Sequence, residues 1–338
     1  MKKLPSVQDL PLAQKKVLLR VDYDVSLKEG QITNTSRIDE SLPTINYLLQ
    51  QKAQIILLSH LGRPEGRVVS ELSLKPVAEY LAKILEREVS LISDLTKKAD
   101  QELVLLENLR FWPGEENNDL LFTKDLANLG DFFVNDAFAC SHRQHASISG
   151  LPQILPSAFG FDFLKEVEVL GHLQEQPKRP VVIILGGAKA DKLKIIPKII
   201  DWADWVLVGG KLPLLVSNFP LPISDKIIVA KLNSEGKDIT LESVTKFQEI
   251  IQKAGTIIWA GPMGLYEEEP WRKGTQEIAK ALSQSQAYKV IGGGDTEAAL
   301  TKFDLLEKID FISSGGGAMF AFLAQGTLPG IEAIINKK

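Results

Sequence analysis

Short β-branched, apolar runs alternate with amphipathic stretches along almost the whole chain, which is the signature of a mostly parallel α/β sheet. In the first half the runs predict strands at 17–21, 54–59, 103–107 and 131–135. Between them Leu74, Val77, Ala78, Leu81 and Leu85 are spaced to form one apolar stripe, and Ser73 just ahead is a natural N-cap. The second half repeats the scheme, with strands predicted at 181–185, 205–208, 256–259, 289–291 and 311–313. Residues 161–174 carry charged and apolar side chains at helical spacing until Pro177 and Pro180 interrupt them, so they predict an interdomain helix. The expected fold is therefore α/β: two doubly wound, Rossmann-like parallel-sheet domains in a bilobal chain. The first should span 1–160, the linking helix 161–176 and the second 177–319. The apolar tail, 320–338, is expected to return to the first domain.

The loops between these elements are not alike in the two halves. Three glycine clusters, Gly186-Gly187-Ala188-Lys189, Gly292-Gly293-Gly294-Asp295 and Gly315-Gly316-Gly317, each follow an apolar run and open a predicted helix. Glycine lets the backbone approach an anion, and the free N–H groups and positive end of the following helix attract it. Three such turns suit a polyphosphate. Seven of the nine arginines instead lie in the first 160 residues, where guanidinium forks suit a small acid bearing carboxylate and phosphate groups.

Composition narrows the possibilities. A chain of 338 residues, 44% of them apolar, exceeds what one core usually supports and can bury two. Net charge is −4, split −3 over residues 1–160 and −1 over the rest, so neither half has the basic excess of a nucleic-acid binder. No apolar run is long enough for a membrane span, and no secretion signal follows Lys2 and Lys3. The single cysteine, Cys140, forbids an internal disulfide, argues against a zinc site and fits a cytoplasmic protein. No G-x-G-x-x-G follows a strand with an acidic residue about 20 positions later, and no Walker A motif exists, which excludes a dinucleotide dehydrogenase and a P-loop kinase.

In parallel α/β sheets ligands bind at the carboxyl ends of strands. After the first predicted strand comes Asp22-Tyr23-Asp24; after the second, His60-Leu61-Gly62-Arg63-Pro64; after the third, Asn108-Leu109-Arg110; after the fourth, Asp136 and then Ser141-His142-Arg143. With Arg37, one pocket can hold four guanidiniums. Read with 185–192, 259–267, 291–298 and 313–318, these segments resemble, in order and over nearly the whole length, the motifs of the phosphoglycerate kinase family.

That resemblance implies a hinge-bending kinase whose first domain binds 3-phosphoglycerate or 1,3-bisphosphoglycerate. Its second domain would bind Mg-ADP or Mg-ATP, and the two would close for phosphoryl transfer. By resemblance, the acid would be held by Asp22, Tyr23, Asp24, Arg37, His60, Leu61, Gly62, Arg63, Arg110 and Arg143. Arg37 and Lys189, with Gly294 and Gly317, would stabilise the group in flight. Lys192, Gly236, Glu267, Gly293, Gly294, Asp295 and Thr296 would bind nucleotide, and Asp295 would handle Mg²⁺. No general base is required, because the other reacting group is a carboxylate already ionised at pH 7. The resemblance also implies a monomer, with neither nucleic acid nor membrane as partner.

Departures from the family pattern are local. The chain is short, mainly between Val208 and Gly236. Ala260 replaces an asparagine, Asp24 replaces another, and Ala190-Asp191 is one residue shorter than the usual link between the two lysines. They leave open a rival reading, a non-catalytic phospho-acid-binding protein on the same scaffold.

Overall fold

The computed structural model describes residues 3–96 and 101–336. The chain divides into two compact units, residues 1–168 with 327–338 and residues 169–326. The first is built on a six-stranded sheet of β1 (Lys16–Arg20), β2 (Gln54–Leu58), β3 (Ser90–Ile92), β4 (Leu103–Leu106), β5 (Phe132–Asn135) and β6 (Ser157–Phe159), in the order β3-β4-β2-β1-β5-β6. The second has β7 (Val181–Leu185), β8 (Trp205–Val208), β9 (Ile227–Val229), β10 (Thr256–Ala260), β11 (Tyr288–Gly292) and β12 (Phe311–Ser313), in the order β9-β8-β7-β10-β11-β12. Every pairing in both sheets is parallel. These are doubly wound sheets, as expected.

Central strands such as Val181–Leu185 are buried at every position, because helices cover both faces and leave no polar side to the alternation. The strands absent from the sequence reading, β3, β6 and β9, are three-residue edge strands. The helix behind Ser73 spans Lys75–Leu85, and the Ser73 hydroxyl accepts from Lys75 N–H at 3.2 Å. Its stripe of Leu74, Val77, Ala78 and Leu81 lies in the core of the first unit.

The linking helix runs Phe161–Glu175, and the division between units falls within it, after Glu168. The tail rejoins the first unit at Thr327, later than the 320 expected from its apolar character. The reason is that Gly316–Gln325 is a helix of the second unit, burying Phe320, Phe322 and Leu323, and it ends at Gly326 in a left-handed C-cap. The last helix, Pro329–Ile335, then docks on the first unit, where Gly330 N–H donates to Ser141 O and Gln153 to Ala333 O.

The stretch where the chain is short forms a 3₁₀ helix, Leu212–Asn218, and a loop leading to the edge strand β9. Leu214 and Ile223 are exposed here. Among the described residues, no single helix is long and apolar enough to cross a membrane.

Candidate active site

In the first unit the strand order reverses around β1, and the residues following β1, β2, β4 and β5 gather at that end of the sheet. Arg37, on the short helix Ser36–Asp39, donates to Asp22 Oδ2 at 2.7 Å and to Asp24 O at 3.2 Å. Asp24 Oδ1 accepts from Gly62 N–H at 2.8 Å, and its Oδ2 lies 3.8 Å from His60 Nε2. Arg110 is 2% exposed and donates to Gly62 O at 2.6 Å. Its Nε is 3.1 Å from Glu116, and its terminal NH2 has no hydrogen-bond partner among the described residues.

His60 reports the field of this cluster. Its own burial, followed by the charges of Arg20, Arg110, Arg143 and Arg37, holds its pKa well below the ordinary value. Burial also lowers His142 to about 4 and His145 to about 3, with Arg110 and Arg143 adding to both shifts. All three imidazoles are neutral at pH 7, in keeping with chemistry that needs no proton shuttle. Arg20 thus joins Arg37, Arg110 and Arg143 in the field acting on His60. Arg63 is exposed and does not figure among the charges acting on His60.

Two of the residues expected at the acid site have buried side chains. Tyr23 is wholly buried, its hydroxyl paired with Ser41 Oγ at 2.9 Å, its N–H donating to Ser59 Oγ and its carbonyl accepting from Val25. Leu61 is 2% exposed, and Asn108 takes up both its N–H and its carbonyl. These side chains form the floor under the cradle rather than its lining, because alternate residues leaving a strand face opposite sides. Asn108, a residue with no expected role at the site, fixes the turn that presents Gly62.

In the second unit the helix Gly294–Lys302 follows β11 and Gly316–Gln325 follows β12, so two of the three glycine clusters open helices. The third opens a 3₁₀ helix, Ala190–Ile195. Gly293 sits at φ +93°, a left-handed position that glycine adopts without strain. A Cβ on Gly292 would meet the backbone of Gly316 at 2.9 Å, so the two helix starts lie side by side. Gly294, Asp295 and Gly317 are exposed there. Thr296 is not: it is 1% exposed, its hydroxyl accepts from Gly261 N–H at 2.7 Å and lies 3.3 Å from Gly292 O, tying β10 to β11.

Of the two lysines, Lys192 turns inward. Its Nζ donates to Gly186 O at 2.9 Å and Ala260 O at 3.0 Å, at the ends of β7 and β10. A side chain on Gly261 would strike this ammonium. Burial lowers Lys192 to about 8, with Asp295 opposing the shift and Lys189 adding to it. Lys189 is exposed and precedes the 3₁₀ helix as its N-cap. Gly236 makes a tight turn at φ +68°, with its N–H on Asn233 O, and Glu267 is exposed. Asp295 has charge contact with both Lys192 and Tyr266.

A guanidinium cradle on one parallel sheet, and glycine-opened helix starts with a buried lysine on another, define an α/β phosphotransferase. Comparison with known proteins specifies which. The phosphoglycerate kinase family profile matches residues 7–219 and 223–326. The chain is 39% identical to the phosphoglycerate kinase of Finegoldia magna over 388 aligned positions, covering 97% of this chain and 98% of that protein. It is 38% identical to that of Thermosipho africanus, covering 98% of each. Among solved structures, phosphoglycerate kinase from Pyrococcus horikoshii superposes with a TM-score of 0.83 at 30% identity, covering 98% of both chains. The Coxiella burnetii enzyme gives 0.78 at 33% identity, covering 99% of this chain and 100% of that one.

The chain belongs to the phosphoglycerate kinase family. It is a kinase that transfers a phosphoryl group reversibly between 1,3-bisphosphoglycerate and ADP, giving 3-phosphoglycerate and ATP; the rival reading of a non-catalytic binding protein finds no support. The aligned length of 388 exceeds the 338 residues here, so the relative carries segments this chain lacks. The family match breaks at 220–222, inside the stretch that the sequence marks as short.

Proposed function

We propose that the acid is held in the first unit by Arg37, Arg110, Arg143, Asp22, Asp24 and His60, with Arg63 reaching in from the surface. The nucleotide phosphates are held in the second unit by Lys192 and the amides of Gly293, Gly294 and Gly317. The observation that carries this reading is the unsatisfied NH2 of the buried Arg110, a charged donor that an anionic ligand would complete. Arg37 and Lys189 stabilise the charge on the equatorial oxygens of the group in flight. Arg37 is prepared for this by its bond to Asp22, which fixes one side of the fork.

Mg²⁺ fits Asp295. Its carboxylate is exposed at the start of a helix, and among the described residues no group of three or more acidic, His or Cys side chains could hold a metal by itself. A single carboxylate with phosphate oxygens and waters is what Mg²⁺ commonly takes. When bound, the ion neutralises phosphate charge; Asp295 holds it, and Lys192 holds the phosphate side. Gly236 and Glu267 line the nucleoside end. The protein acts as a monomer in the cytoplasm.

The test is the Mg²⁺ dependence of a coupled assay following ATP-dependent consumption of 3-phosphoglycerate. Asp295→Asn should raise the Mg²⁺ concentration for half-maximal rate about tenfold or more, as lost metal ligands do. An unchanged Mg²⁺ requirement would remove Asp295 from the metal site.

A further inference from the structure

Beneath the acid cradle lies a buried chain of polar groups to which the reaction assigns no part. Glu115, on the short helix Pro113–Glu116, is 0% exposed. Its Oε2 accepts from Ser147 N–H at 3.0 Å and its Oε1 from the Ser147 hydroxyl at 2.6 Å. Ser147 is also fully buried. Having given its proton to Glu115, its hydroxyl oxygen accepts from Arg20 Nε at 2.9 Å. Arg20, 1% exposed, directs one terminal nitrogen to the carbonyls of Val21 and Leu58 and the other to His60 Nδ1 at 3.1 Å.

The direction of every bond in this chain is fixed. A guanidinium can only donate, so Nδ1 of the neutral His60 must accept, and the ring proton must lie on Nε2. That Nε2–H is the atom facing Asp24 Oδ2, 3.8 Å away in the acid cradle. The bonds run outward from Arg20 on both sides, and on the side away from His60 they end at Glu115, which accepts two bonds and gives none. Burial pushes its pKa upward, while Arg20 and the two bonds from Ser147 oppose the rise.

We propose that Glu115, acting through Ser147, is a positioning residue that holds Arg20 where its guanidinium sets the tautomer of His60, so that Nε2–H is offered to the acid substrate. Arg20 is accordingly a strut and not a ligand, since it is buried and each of its three nitrogens already donates inside the protein. The substrate half of this statement rests on the assignment of His60 to the acid site; the tautomer half does not.

The test combines ¹⁵N NMR of the histidine ring nitrogens with steady-state kinetics. The four histidines are told apart by the signal missing in His60→Gln. In the unmodified protein without substrate, His60 should show a proton-bearing Nε2 and a bare Nδ1. A proton on Nδ1 overturns the proposal, and this measurement needs no variant to fold. In Glu115→Gln a single oxygen must serve two Ser147 donors, and in Ser147→Ala the link to Arg20 is gone. Both should show a mixture of His60 tautomers, with KM for 3-phosphoglycerate raised about tenfold and kcat lowered less. A lower melting temperature with the tautomer and KM unchanged would show that Glu115 merely supports the fold, which overturns the proposal. So would a raised KM with the tautomer intact, because the effect would then bypass His60. A shifted tautomer with KM unchanged would uphold the relay and remove His60 from the acid site.

Discussion

The inward lysine predicts a rate that declines in mild alkali. Lys192 is lowered from 10.5 to about 8, a shift that corresponds to about 3 kcal/mol between the charged and neutral forms. The charge that attracts nucleotide phosphate is present below pH 8 and is lost as pH rises through it. In the free enzyme, kcat/KM for ATP should be level to about pH 7.5 and then fall about tenfold per unit. A bound polyphosphate favours the charged form, so the corresponding limb in kcat should lie at higher pH. Denaturation would not explain the fall. Between about pH 8 and 10.5 the unfolded chain holds a proton that the folded one has released, so this group makes the protein more stable as pH rises. The coupled assay and thermal melts from pH 6 to 10 read both quantities. Lys192→Met should lose about a hundredfold in kcat/KM at pH 7 and show no alkaline limb, as removal of a charge-assisted phosphate contact of about 3 kcal/mol requires. A wild-type profile flat to pH 10, or the same limb persisting in Lys192→Met, would refute the reasoning.

Three other outcomes follow from the same geometry. Asp24 adds a negative charge beside an anionic ligand, so Asp24→Asn should lower KM for 3-phosphoglycerate about fivefold, the effect of about 1 kcal/mol of relieved repulsion; a raised KM would mean that the carboxylate is itself a needed acceptor. Lys189→Ala should reduce kcat far more than it weakens acid binding measured by calorimetry, and equal losses would deny it a role confined to the transition state. Asp162, in the first turn of the linking helix, is raised to about 9 by burial and then by Glu40, Asp136 and Glu166. A carboxyl so raised costs stability above its unfolded pKa near 4, so Asp162→Asn should raise the melting temperature at pH 8 and make no difference at pH 3.5. A gain that is equal at both pH values would trace it to packing.

The strands were legible because both sheets are covered on each face, which turns their central strands into unbroken apolar runs such as Val181–Leu185. Three of the four edge strands were not; Ser90–Ile92 and Ile227–Val229, for example, are short and only partly buried. Loop residues after strands marked a candidate site, but not which of their side chains are buried. Tyr23, Leu61 and Thr296 belong to those turns, yet the backbone directs them into the core. Which lysine turns inward was equally hidden, because removing one residue between Lys189 and Lys192 changes the angle at which the second leaves the chain, and a 3₁₀ turn settles it. Arg20 and Glu115 could not be read at all: each meets Ser147 across 127 and 32 residues of sequence, and only folding brings them together.

The docking of the last helix beside Ser141 has a consequence for biosynthesis. The segment that carries His142 and Arg143 leans on Gly330, so the acid cradle is completed by residues translated only after the whole of the second unit. A nascent chain stalled after Gly326 would therefore hold a finished nucleotide half beside an unfinished acid half. Premature termination there should yield a protein that retains ATP binding but neither captures phosphoglycerate nor turns over.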